Sequence, residues 1–280
     1  MKIIEPKVEL LSEIGISPES HIARCARVCY GKEYKEPNQK ADKKMVEGLI
    51  KRNHLSMLRH NSAYFVFTNH LPEEFKSEYV NTLSQEDYIY ASTNGQFTLE
   101  HNNKADLNSH VFLNLCRKYP ELFKLYRLTF CITTQISTSR ELNRCSPNAI
   151  AERSTRYCSS KDGLLICRPW WLSSAKEAAF NSHSPINELW YYNNAISKVE
   201  EAYLTLLGQG MKPEDARGIL PLDTATKVIY TYSIREWQHI LDLRLYDKTG
   251  IAHPNVHVVM QMVKDQINDF AKEHNIDYQV

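Results

Sequence analysis

The order of its segments constrains this chain most: helical and strand-like stretches are mixed without the strict alternation that builds a parallel, doubly wound sheet. Residues 62–68, 129–136 and 226–232 are short runs rich in β-branched and aromatic side chains, and they read as strands. Residues 19–30 place Ile22, Cys25, Ala26 and Cys29 at helical spacing, with Gly31 positioned to end the helix. Further helices are predicted over 41–52, 185–207, 234–246 and 255–273, the third stopped by Gly208 and Gly210. This mixture predicts an α+β fold, a mixed or antiparallel sheet packed with long helices. A chain of 280 residues can bury one sizeable core, so a single domain over 1–280 is expected. Residues 70–128 are more polar and irregular, with a turn at Asn94-Gly95, a short strand-like Gln96–Leu99 and a helix within 105–118. They read as an insertion on one face, too poor in apolar residues to own a core.

Composition narrows the function. The net charge of +1 gives no broad footprint for duplex nucleic acid, though it allows a local cationic pocket. No apolar run is long enough to span a bilayer, and the first residues lack the apolar core of a signal peptide, so no membrane partner and a cytoplasmic location are expected. Seven scattered cysteines then read as free thiols. Cys25 and Cys29, four apart on one helix, read as core packing rather than metal ligands. With nine glycines and no Gly-x-Gly-x-x-Gly, a nucleotide must be held by side chains.

Three segments carry charge that a core does not explain. Residues 139–158 set Arg140, Arg144, Arg153 and Arg156 among small hydroxylated residues after a predicted strand. Arginine forks and hydroxyls at a strand end suit a phosphate; the plainer reading is a solvated basic loop. Residues 214–221 hold Arg217 between a helix start and a proline turn, where a surface ion pair is the commoner role. Residues 233–246 put Arg244 beside an apolar helix side and Arg235 one turn from His239, which by itself reads as an amphipathic helix. His54 and His60 lie six apart, without a third ligand at metal-site spacing.

Together, and in order, these segments resemble the flavin-dependent thymidylate synthases. Residues 22–31 are similar to the family's opening helix, and His54-Leu55-Ser56-Met57-Leu58-Arg59-His60 to its His-x-Ser/Thr-x-x-x-His segment. Residues 139–158 align without a gap to Ser-His-Glu-Leu-Val-Arg-His-Arg-Pro-Ala-Ser-Phe-x-Gln-Glu-Ser-Thr-Arg-Tyr-Cys. Residues 215–221 resemble Asp-Ala-Arg-x-x-Leu-Pro, and 235–245 resemble Arg-Glu-Leu-Arg-His-Phe-x-x-Leu-Arg-Leu. The resemblance implies methylation of dUMP to dTMP with methylenetetrahydrofolate and FAD reduced by NADPH, in a homotetramer whose sites draw on several subunits. It implies nucleotide contacts at Glu141, Arg144, Glu152, Ser154, Arg156, Arg217 and Arg244, with Arg244 and His54 at the chemistry. It implies flavin contacts at Ser56, Arg144, Cys145, Ser146, Glu152, Ser233, Arg235 and His239. Two departures stand out: the family's Arg-His-Arg triplet is Arg144-Cys145-Ser146, and a family asparagine is Ser233. They leave room for a sister enzyme acting on another pyrimidine nucleotide, or a nucleotide-binding paralogue without flavin.

Overall fold

The computed structural model describes residues 1–12, 15–32, 36–145, 149–156, 162–172 and 188–280. Its centre is a four-stranded antiparallel sheet in the order β2 (Lys7–Leu10), β6 (Arg127–Gln135), β9 (Ala225–Ser233), β7 (Ala149–Glu152). The central pair runs in full register from Arg127 opposite Ser233 to Gln135 opposite Ala225. Every residue of β6 is buried, because both faces of the sheet are covered. One face carries Leu128, Phe130, Ile132, Val228, Tyr230 and Tyr232, packed on α8 (Ile234–Arg244) and α9 (Pro254–Glu273) through Trp237, Val256 and Met260. The other presents Cys131, Ile229 and Ala151 to Cys25 of α1 (Pro18–Val28).

Local sequence sets the element ends. Ser17 caps α1 by accepting from the Ser20 backbone N–H, with Pro18 in the first turn. Asn38 does the same for α2 (Gln39–Lys51) through the Ala41 N–H. Ser233 and Glu236 close a capping box at the start of α8. The helix expected over 185–207 is α6 (Glu188–Gly208); its expected first residues, 185–187, lie outside the described residues.

The segment between the opening helices and β6 is more regular than its composition suggests. β3 (Ser62–Phe67), β5 (Tyr88–Asn94) and β4 (Asn81–Gln85) form a separate antiparallel sheet. Ala63, Phe65, Phe75, Ala91 and Phe97 close a small apolar cluster on one side. Tyr64 and Tyr90 on the other join the main core beside Phe112 of α4 (Ser109–Lys118), the Tyr64 and Phe112 rings stacking at 4.3 Å. Alternating aromatics in β3 and β5 thus serve two clusters at once, so few apolar residues suffice. The strand-like reading of Gln96–Leu99 is corrected: the stretch lies in α3 (Gly95–Glu100). Asn94 is no turn tip either. Its side chain accepts from the Gln96 and Phe97 N–H groups and caps that helix.

Two further strands, β1 (Lys2–Ile4) and β8 (Leu165–Cys167), pair in parallel as a two-stranded sheet of their own. The cysteines within the described residues are free; Cys158 lies outside them. Among the described residues no helix is long and apolar enough to cross a membrane.

Candidate active site

β7 delivers Glu152 to the edge of the main sheet, and α5 (Ile136–Leu142) covers it. The Glu152 carboxylate accepts from Ser139 Oγ at 2.7 Å, Thr226 Oγ1 at 3.1 Å and Asn143 Nδ2 at 3.3 Å. Asn143 is itself oriented, since Tyr230 donates its hydroxyl proton to Asn143 Oδ1 at 2.7 Å. The carboxylate is therefore fixed by α5 and β9, not only by its own strand. Beyond it the backbone stays tied down: Arg153 N donates to Lys227 O, and Ser154 N donates to Cys29 O at the end of α1.

A cavity of about 660 Å³ opens against this frame, walled by Arg140, Glu152, Arg153, Ser154, Thr155 and Arg217. Arg217, directly after α7 (Pro213–Ala216), is held in place by two donations, Nη1 to Thr155 Oγ1 and Nε to the Glu214 carbonyl, both at 3.1 Å. Arg156 lies exposed beside it, its Nη2 3.4 Å from Glu214 Oε2. The structure thus brings Ser154 and Arg217, over 60 positions apart, to one opening, with Arg156 not in its wall but reaching Glu214, three residues before Arg217. Planar cations and hydroxyls over a fixed carboxylate suit a phosphorylated sugar: the cations meet the phosphate, and a carboxylate accepts from a hydroxyl or ring N–H.

Arg244, last residue of α8, points inward rather than out to solvent; its side chain is 17% exposed. Its Nε lies 3.7 Å from Glu141 Oε1 and has no hydrogen-bond partner, and its Nη1 donates to the Leu243 carbonyl at 3.4 Å. Cys145 is its neighbour. The thiol donates to the Glu141 carbonyl at 3.7 Å, and burial raises its pKa while Arg244 pulls the other way. Arg140 and Glu141 are adjacent on α5 and serve different places, one the cavity and the other Arg244. Arg244 does not line that cavity. The residues expected around one nucleotide therefore form two groups within the chain.

The residues expected at flavin are spread more widely. His54 and Ser56 are exposed at the start of a 3-10 turn, Leu55–His60. His60, the second histidine of that motif, is fully buried with Nδ1 2.8 Å from Thr231 Oγ1, so the two histidines share no site. Arg144 and His239 are exposed. Arg235 donates from Nη1 to the Thr82 carbonyl of β4 at 3.0 Å, and Ser233 is committed to the cap of α8. Ser146 lies outside the described residues. The set still offers exposed cations and hydroxyls, the donor chemistry a flavin dinucleotide's diphosphate takes. Sequence reading passed over Asn143 and Thr226, polar residues whose importance comes only from where β9 and α5 meet. Arg140 and Arg153 were visible as part of a basic segment.

The family model described as thymidylate synthase complementing protein matches residues 78–271, and the chain belongs to that family. The flavin-dependent thymidylate synthase of Synechocystis sp. is 25% identical over 161 residues, covering 55% of this chain and 74% of that protein. Those of Halobacterium salinarum and Haloarcula marismortui are 40% and 31% identical over 53 and 77 residues. These two matches span 22% and 31% of the haloarchaeal proteins. Among solved structures, a UMP/dUMP methylase PolB from Streptomyces cacaoi bound with 5-Br dUMP is similar at 16% identity and a TM-score of 0.44, covering 97% of this chain and 93% of that one.

Proposed function

We propose that this chain methylates dUMP at uracil carbon 5 to give dTMP, taking the one-carbon unit from methylenetetrahydrofolate, with FAD reduced by NADPH. The observation that carries the reading is the 660 Å³ cavity, where Arg140, Arg153, Arg217 and Ser154 surround the three-bonded carboxylate of Glu152. In this reading Ser154, Arg156 and Arg217 bind the nucleotide phosphate, and Glu152 orients the nucleotide and flavin. Glu141 and Arg144 complete the nucleotide contacts. Carbon 5 of uracil is a poor nucleophile, and a fixed cation at the ring oxygens and N3 stabilises the anionic ring and moves density towards that carbon. Arg244 fits that part, because a guanidinium keeps its charge when buried and Glu141 already orients it. His54 stands by the reacting groups.

Ser56, Arg144, Cys145, Ser146, Glu152, Ser233, Arg235 and His239 are the residues assigned to hold FAD. When bound, FAD supplies the hydride that completes the methyl group. The separation of Arg244 from the Arg217 cavity supports an assembly, a homotetramer by resemblance, in which two copies build one site. A cytoplasmic enzyme with small-molecule substrates follows from the same reading.

The absorbance spectrum of the purified protein, followed by product analysis, tests it. A flavin spectrum and conversion of dUMP to dTMP are expected. Turnover of UMP in place of dUMP would move the reading to a sister enzyme, and a colourless protein that binds dUMP without converting it would move it to a non-catalytic paralogue.

A further inference from the structure

A second cavity, of about 480 Å³, lies where the inserted sheet and α4 meet α1 and β6, and it shares no lining residue with the arginine cavity. Among the described residues that line it there is no Asp or Glu. The first turn of the 10-residue α4 forms part of its wall through Ser109 and His110, while α1 contributes Pro18, which has no backbone N–H. Helix starts present N–H groups and partial positive charge to whatever lies in front of them.

The inner wall holds donors that the protein leaves unused. Arg127 is 3% exposed; its Nη2 donates to the Arg59 carbonyl at 2.9 Å and the Thr231 carbonyl at 3.3 Å. Its Nε and Nη1 have no hydrogen-bond partner, and the Glu236 carboxylate is 4.0 Å from Nη1. His60, wholly buried, also lines the cavity, and its Nε2 has no partner. Each such buried orphan costs free energy that a ligand atom could recover.

His60 is also the end of a hydrogen-bonded chain: His21 Nε2 to Thr129 Oγ1 at 3.0 Å, Thr129 Oγ1 to Thr231 Oγ1 at 2.8 Å, and Thr231 Oγ1 to His60 Nδ1 at 2.8 Å. The chain has two polarities. If His21 donates first, each hydroxyl donates onward, His60 Nδ1 accepts, and Nε2 must carry the proton. That polarity makes His60 Nε2 a donor beside Arg127. Burial holds the His60 pKa well below 6.5, with His21 and Arg127 adding to the effect, so the ring is neutral and this choice is a choice of tautomer.

We propose that this cavity binds a small molecule with an oxyanion head, a phosphate monoester or a carboxylate, on a partly apolar body. The head is received by Arg127, His60, the His110 side chain at the rim and the start of α4, and the body lies against Ile16, Leu107 and Tyr126. The inference stands apart from the function proposed above, since it uses none of the residues assigned to nucleotide or flavin.

The test is calorimetric titration with phenyl phosphate and with benzoate, one ring bearing the two heads, on the full chain carrying Arg217→Ala so that the arginine cavity contributes little. Saturable binding of at least one probe is expected, with Kd below about 1 mM. Phenyl phosphate alone would assign a phosphate head, and benzoate alone a carboxylate. His110→Gln, at the exposed rim, should weaken binding by about fivefold or more. His60→Gln should weaken it further, and ¹⁵N spectra of the parent should show His60 fixed with its proton on Nε2 when the probe is bound. Because His60→Gln could unfold the buried chain, His110→Gln and the tautomer decide by themselves. Absence of saturable binding for both probes, binding unchanged by His110→Gln, or a His60 signal indifferent to the probe would overturn the proposal.

Discussion

Arg244 carries the sharpest expectation at the scale of single residues. Its inward course and its loose contact with Glu141, 3.7 Å without a hydrogen bond at Nε, leave a charged group held in place but not consumed. A cation kept for the ring anion acts more in the transition state than in substrate binding. Arg244→Ala should therefore slow flavin oxidation by bound nucleotide and folate more than it weakens nucleotide binding, and Arg244→Lys, which loses the planar fork, should also be impaired. Single-turnover kinetics at saturating substrate, on folded and flavin-loaded variants, measure this. A rate within about threefold of the parent would leave too little barrier change for the role. Arg156 is expected to behave in the opposite way. It is exposed, its 3.4 Å contact with Glu214 is a surface pair of little strength, and the proposed function gives it to the phosphate. Arg156→Ala should weaken dUMP binding by about 1.5–3 kcal/mol, the scale of a hydrogen bond to a charged group. Calorimetry on the folded variant checks it, and unchanged affinity would remove the assignment.

Elements show what the sequence revealed and what it hid. The helices read from apolar spacing are present within a few residues, and so are the strands at 62–67, 127–135 and 225–233, because their patterns are strong and their caps local. The residues of Gln96–Leu99 favour a strand by themselves, but Asn94 caps a helix there, and the cap prevails. The close approach at Gly95 was hidden for a different reason. A Cβ there would sit 2.7 Å from the Leu58 carbonyl, a contact between segments 37 positions apart that no local pattern records. Gly95→Ala is a sensitive probe, since alanine in a helix gains up to about 1 kcal/mol over glycine when nothing else intervenes. Here the backbone clash should outweigh that gain and destabilise the fold by about 1–2 kcal/mol net. Urea unfolding would measure it, and a more stable variant would show that α3 can shift away from Leu58 without cost. The active-site pattern divides along the same line. Arg140, Arg153, Ser154 and Arg156 form one legible run, whereas Thr226 and Asn143 reach Glu152 only through tertiary packing.

At the scale of the whole molecule, the division into two groups of the residues proposed for the nucleotide bears on assembly. Arg217 and Ser154 face the arginine cavity, while Arg244 and Glu141 pair elsewhere, even though α5 supplies Arg140 to one and Glu141 to the other. In a single copy one nucleotide would have to reach from the cavity past α5 to Arg244. Two copies could surround it by juxtaposing the cavity of one with the Arg244 pair of the other, without changing either. These alternatives differ in mixtures. Arg217→Ala and Arg244→Ala should each be nearly inactive by itself. If one site is built from two copies, co-refolded or subunit-exchanged mixtures will contain sites that draw Arg217 from one parent and Arg244 from the other. With equal amounts and random association, about a quarter of the sites would be intact, and activity should recover towards that fraction. If each chain builds its own site, every chain in the mixture carries a defect and activity stays at the level of the parents. The measurement is dTMP formation by equimolar mixtures against the separate variants, with mixed oligomers verified by native mass spectrometry. Recovery would place Arg217 and Arg244 of one site on different copies; none, in verified mixed oligomers, would return both to a single chain.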